Sequence, residues 1–120
     1  MIAYVKGIIA RKDGYGVILE ANGIGYEMSM SSKALGTLPA VGNTAQVWTY
    51  LHVKDDGMSL FGFCDASEKE MFVKLIGVSG IGPKMAISAL STFNPKELAS
   101  AIAAGDVTRI SSVPGIGKKT

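Results

Sequence analysis

Two segments of this 120-residue chain pair glycine with lysine at a spacing suited to holding an anion. Val78-Ser79-Gly80-Ile81-Gly82-Pro83-Lys84 lines up, 35 residues on, with Val113-Pro114-Gly115-Ile116-Gly117-Lys118-Lys119. The match extends upstream, with Lys74-Leu75 over Arg109-Ile110 and Phe72 over Val107. Each copy reads as a helix, a tight glycine hairpin, and a helix start with lysine in its first turn. Two glycines flanking one apolar residue let the backbone turn sharply while the isoleucine plugs the space between helices. Without side chains at the glycines, backbone N–H groups and the following helix N-terminus can approach an anion closely. A lysine in a first helical turn opposes the macrodipole, and a nearby phosphate would offset that. One copy fits a plain helix–helix turn with an exposed lysine equally well. The recurrence favours nucleic-acid backbone binding. Such binding reads phosphates rather than bases and weakens steeply with salt.

The elements that must position these hairpins follow from periodicity. Met1–Ala10 is β-rich and leads through the turn RKDGYG to a short apolar run, Val17–Glu20. Asn22-Gly23 turns the chain into Ile24–Met30, and Ser31–Leu38 suits one helical turn closed by Pro39. Thr44–Lys54 alternates, with Val47, Thr49, Leu51 and Val53 on one face and Trp48, Tyr50 and His52 on the other. Lys54-Asp55-Asp56-Gly57 then turns into Met58–Phe63. Five or six short strands with a helix near the middle predict a small closed β-barrel of the oligonucleotide-binding (OB) type.

After Cys64 the period changes from two to 3.6. Ser67-x-x-Glu70 reads as a capping box ahead of the stripe Met71, Phe72, Leu75 and Ile76. Pro83 suits the first turn of a second helix running to about Ser91. Asn94-Pro95-x-Glu97 starts a third, with Leu98, Ala99 and Ile102 as its apolar face. Gly105 ends it, and Asp106 caps a short fourth helix through Ser112. The expected fold is therefore multidomain β + α: an OB barrel over residues 1–64 and an all-α domain over 65–120.

Composition bounds the function. The chain is 48% hydrophobic and 18% charged with net charge +2, which argues against disorder. No apolar run approaches the ~20 residues of a membrane span, and the N-terminus lacks the features of a secretory signal. With one cysteine, Cys64, no internal disulfide is possible, which fits a reducing, cytoplasmic setting. Fifteen glycines exceed the usual ~7%. Residues 1–64 carry five basic and five acidic side chains. Residues 77–120 carry Lys84, Lys96, Arg109, Lys118 and Lys119 against Glu97 and Asp106, so the basic surplus sits with the hairpins.

Two tandem helix-hairpin-helix motifs behind an OB-like barrel resemble the RuvA family, whose members bind Holliday junctions. MIAYVKGII, GIGYEM, VKDDGMSLFGF and EMFVKLIGVSGIGPKMAISAL follow that family's pattern in the same order, over essentially the whole chain. The resemblance implies a homotetramer of four-fold symmetry that holds a four-way DNA junction open. It implies loading of the RuvB ATPase for branch migration in recombination, repair and the SOS response, with the RuvC resolvase in the full complex. The protein itself would be no enzyme and need no cofactor. By residue match, phosphate binding falls on Gly80, Ile81, Gly82 and Lys84, and on Gly115, Ile116, Gly117, Lys118 and Lys119. The family's acidic pin falls on Asp55 and Asp56, although on the residues alone KDDG is an ordinary polar turn. Family members continue past the position of Thr120 to finish the second motif and add a RuvB-contacting domain. A truncated second hairpin and no RuvB binding are therefore expected of this chain.

Other chemistry fits poorly. GIGKKT has an extra lysine where a nucleotide-binding loop needs Gly-Lys-Thr, and neither Gly14-x-Gly16 nor Gly23-x-Gly25 has a third glycine. One histidine, His52, and one cysteine make a metal site or a Cys–His dyad a poor fit, and His52 reads as a barrel-wall residue. Trp48, Tyr50, Phe61 and Phe63 suit core or interface packing better than base stacking, because the barrel is not basic. Met58, Met71 and Met85 read as core or interface filler. Two competing classes remain open: a helix-hairpin-helix repair glycosylase or lyase with a lysine nucleophile, and a protein-interaction barrel with purely structural hairpins.

Overall fold

Alternation of apolar and polar residues along the first half of the chain demands a surface that buries every second side chain, and a closed barrel supplies it. The computed structural model of the protein describes residues 2–93 and 95–104. Five strands, β1 (Tyr4–Lys12), β2 (Gly16–Ala21), β3 (Ile24–Ser29), β4 (Thr44–Lys54) and β5 (Gly57–Phe63), close in the order β1-β2-β3-β5-β4. The short helix α1 (Ser32–Gly36) joins β3 to β4. This is the expected OB-type barrel.

Local chemistry sets each turn. Asn22 and Gly23 both take positive φ, 52° and 81°, the pairing whose twist suits a two-residue hairpin. Between β1 and β2, Asp13 Oδ1 accepts hydrogen bonds from the amides of Tyr15 (2.8 Å) and Gly16 (3.0 Å). Those two amides hold the Asp13 carboxyl below its ordinary value of 3.8. The folded-state value is depressed, so the stability it contributes is present above pH 3.8 and is lost as pH falls further. All strand pairs are antiparallel except β3 with β5, which run parallel and meet only at Ser29↔Phe61.

The barrel interior is apolar: Ile9, Leu19 and Val47 are fully buried, and Met28 and Met30 nearly so. On β4, Val47 and Thr49 point inward as the alternation requires. On its other face Trp48 meets Tyr4 edge to face, with ring centroids 5.9 Å apart. His52 lies in the barrel wall, stacked on Tyr50 and edge-on to Phe61.

The chain divides into two compact units, the first ending at Lys69 and the second starting at Glu70. Among the described residues the second holds most of α2 (Ala66–Ile76), with α3 (Pro83–Thr92) and α4 (Pro95–Ala104). The start of α2 differs from expectation. Ser67-x-x-Glu70 lies inside the helix, and the cap forms two residues earlier. Asp65 Oδ1 accepts from the Glu68 amide at 2.8 Å, while Glu68 Oε1 accepts from the Cys64 amide at 2.9 Å. Cys64 directly follows β5, and Glu68 is the carboxylate that reaches its donor. On α4 the inward residues are Leu98 and Ala101, with Ile102 half-buried and Ala99 exposed, because the stripe follows i, i+3 and i+4. The Asn94 cap, the end of α4 at Gly105 and the expected fourth helix lie outside the described residues.

Ser31 ties α1 to the start of α2. Its buried hydroxyl caps α1 by accepting from the Ala34 amide (3.1 Å) and donates to Glu68 Oε2 (3.0 Å). Ser31→Ala removes both bonds, and equilibrium denaturation should show a loss of roughly 1–3 kcal/mol. A loss below the measurement error would mean that neither bond carries weight.

Candidate nucleic-acid interface

The first hairpin is built so that its middle residue is inside and its glycines are outside. After α2 ends at Ile76, Gly77 N–H donates to Val73 O (3.2 Å) and Val78 N–H to Leu75 O (3.0 Å). Ile81 N–H then donates to Val78 O at 3.1 Å, closing a turn whose third residue, Gly80, has φ +90°. That backbone region disfavours any residue with a Cβ. The Ile81 side chain is buried at 5% exposure, as a plug should be. Its amide is therefore spent within the protein.

Gly80 and Gly82 are different. Both are exposed, and among the described residues nothing accepts a hydrogen bond from either amide. Gly82 is the N-cap of α3, in extended conformation (φ −92°, ψ 175°), and offers no side-chain cap. A Cβ built on it meets nothing within 4 Å. Pro83 occupies the first helical position, where its missing N–H costs nothing, and no acidic residue lies in that first turn. Lys84 stands there exposed, with no ion-pair partner among the described residues. Two open amides, an uncapped helix start and a free ammonium thus share one short segment. A donor set of this kind can hold an anion. Gly115, Ile116, Gly117, Lys118 and Lys119 lie outside the described residues.

The expected acidic pair sits elsewhere. Asp55 and Asp56 form the tip of the β4–β5 hairpin between the paired Lys54 and Gly57, both exposed. Among the described residues, neither carboxylate has a hydrogen-bond or ion-pair partner. Below the tip, Phe61 and Phe63 are buried and so offer no platform for bases. Met85 is buried and Met71 half-buried, as core filler would be, whereas Met58 is 71% exposed, which leaves of the two expected roles only the interface one. Its place near the end of a projecting hairpin puts it outside the core. Sequence reasoning also missed a groove that Met58 lines with Arg11 and Tyr15, because RKDGYG carries only a turn signal.

Cys64 is exposed, but its surroundings disfavour the thiolate. Partial burial, and then the carboxylates of Glu68 and Asp65, push the thiol from 9.0 up to about 11. At pH 8 its thiolate fraction is then about a hundredth of that of an ordinary cysteine, and alkylation should be correspondingly slow. Glu68→Gln should speed that alkylation, and an unchanged rate would remove Glu68 as a cause. Among the described residues no cluster of histidine, cysteine, aspartate and glutamate could hold a metal, and no helix is long and apolar enough to cross a membrane.

Comparison with known proteins bears on both halves of the chain. Residues 1–62 match the model of the RuvA N-terminal domain, and residues 72–120 match the SAM-like helix-hairpin-helix tandem. The chain is 49% identical over its whole length to the Holliday junction branch migration complex subunit RuvA of Geobacter metallireducens. It is 45% identical to the protein of that name from Herpetosiphon aurantiacus and 47% to that from Cytophaga hutchinsonii. In each case it covers 100% of this chain and 60 or 61% of the relative, so it spans about three-fifths of their length. With an OB-type barrel of the matching domain followed by a glycine hairpin in the matching tandem, the chain belongs to the RuvA family.

Proposed function

We propose that this chain is a structure-selective, sequence-independent DNA-binding scaffold for four-way junctions. The hairpin grips the phosphate backbone through the amides of Gly80 and Gly82 and the ammonium of Lys84, with Ile81 as the internal plug. Gly115, Ile116, Gly117, Lys118 and Lys119 play the same part in the second copy. Residues 1–64 serve oligomerisation and carry the pin, and residues 65–120 bind DNA. The relatives' name, a Holliday junction branch migration complex subunit, supports junction DNA as the ligand. The single observation that carries the reading is the pair of amides, unclaimed among the described residues, beside a lysine with no ion-pair partner among them.

The acidic tip gives such a scaffold its selectivity. In a four-fold tetramer, Asp55 and Asp56 would gather into a ring of negative charge where the strands cross. Phosphates are repelled there, which disfavours continuous duplex and keeps the crossover unstacked. In this reading the work of migration belongs to the RuvB ATPase, the RuvC resolvase acts on the same complex, and the setting is the cytoplasm.

Three measurements test it. Junction binding in a gel shift should exceed binding of duplex of equal length, and should fall by roughly a thousandfold between about 50 and 200 mM salt. A salt-insensitive complex would sink the phosphate grip. Gly82→Ala should leave the melting temperature unchanged, because the added methyl meets open space, yet weaken junction binding about tenfold by blocking close approach. Unchanged affinity would show that no phosphate comes near Gly82. The double variant Asp55→Asn/Asp56→Asn should bind duplex better and discriminate less, and intact discrimination would remove the pin.

A further inference from the structure

The β4–β5 hairpin carries the apolar inner face of the barrel out into solvent. Along β4 that face runs from buried Val47 and Thr49 through half-buried Leu51 to Val53, which is 59% exposed. Along β5 it runs from Leu60, which packs on the core, out to Met58 at 71%. Val53 and Met58 oppose each other in register, so they stand side by side directly below the Asp55-Asp56 tip.

Met58 also lines a groove of about 370 Å³ together with Ser59, Arg11, Tyr15, Glu27 and Ser29. The groove exists because β3 and β5 meet at the single pair Ser29↔Phe61. At its edge Tyr15 is 86% exposed, held out by the Asp13 turn that binds its amide.

The chemistry of this groove selects its occupant. Its volume falls within the size range of small-ligand sites. Its lining sets one guanidinium, Arg11, against the carboxylates of Glu27 and Asp13, so the charge of the groove itself is negative and unfavourable to phosphate. A neutral heteroaromatic ring meets no such repulsion. It would find a phenol ring and a thioether to pack on, and hydroxyl, guanidinium and carboxylate groups for its edge. We infer that this groove receives a nucleobase unpaired at the crossover of a four-way junction, packed between Tyr15 and Met58. The inference rests on the junction-binding reading and adds to it the destination of a displaced base.

The test is a cycle of protein and DNA changes. Junctions with intact crossover nucleotides are compared with junctions abasic at those positions, using the unaltered protein, Tyr15→Ala and Met58→Ser. Both side chains are exposed, so the variants should melt with the unaltered protein. Each substitution should weaken binding of the intact junction roughly tenfold and leave binding of the abasic junction and of linear duplex unchanged. Equal losses on intact and abasic junctions, or no loss on either, overturn the groove assignment while leaving the scaffold reading in place. A changed oligomeric state of the variants by light scattering makes the groove a contact between copies and overturns it too. If the unaltered protein does not prefer junction to duplex, the scaffold reading fails and takes this inference with it.

Discussion

A backbone amide can serve a ligand only if its own fold has no use for it, and the Gly80–Gly82 loop is organised around that condition. The turn closes with one hydrogen bond, from Ile81 to Val78, and the isoleucine side chain anchors the loop inward. The flanking amides are left to solvent, which is tolerable only on the surface, since a buried orphan donor costs about 1–3 kcal/mol. Gly80 at φ +90° makes the geometry possible, and Pro83 starts the next helix without adding a further unsatisfied donor. Such an arrangement offers donors by position rather than by side-chain identity, which suits a ligand whose repeating feature is its backbone.

The barrel makes the complementary contribution, with side chains exposed where the helical unit exposes main chain. Its β4–β5 hairpin brings two carboxylates into water with no ion-pair partner among the described residues. Attraction at the glycine loop and repulsion at the acidic tip are opposite in sign and reside in separate units. Each can therefore be altered by substitution without touching the other.

Much of this was legible in the residues. Alternation over Thr44–Lys54 located β4 and its inward face, Asn22-Gly23 its hairpin, and Pro83 the start of α3. The glycine repeat pointed to the loop, and Ile81 to its plug. What the residues hid was side-chain reach. Asp65 and Ser67 are both good caps with an acid three residues on. Only the proximity of Glu68 to the Cys64 amide and to Ser31 decides between them. Hydrophobicity alone could not choose between core and interface for Met58, and only the hairpin that outruns its barrel takes it out of the core. The groove was invisible because its walls come from strands far apart in sequence.

The parallel contact of β3 with β5 through one residue pair has a kinetic meaning. A barrel is as durable as its weakest seam, and every other seam here is stitched by at least four register pairs. Transient opening would begin by unzipping β3 from β5, leaving the β1–β2 and β4–β5 ladders whole. Amide exchange in the native state would then rank that seam as the first to lose protection, and breathing there would widen the groove without unfolding the molecule.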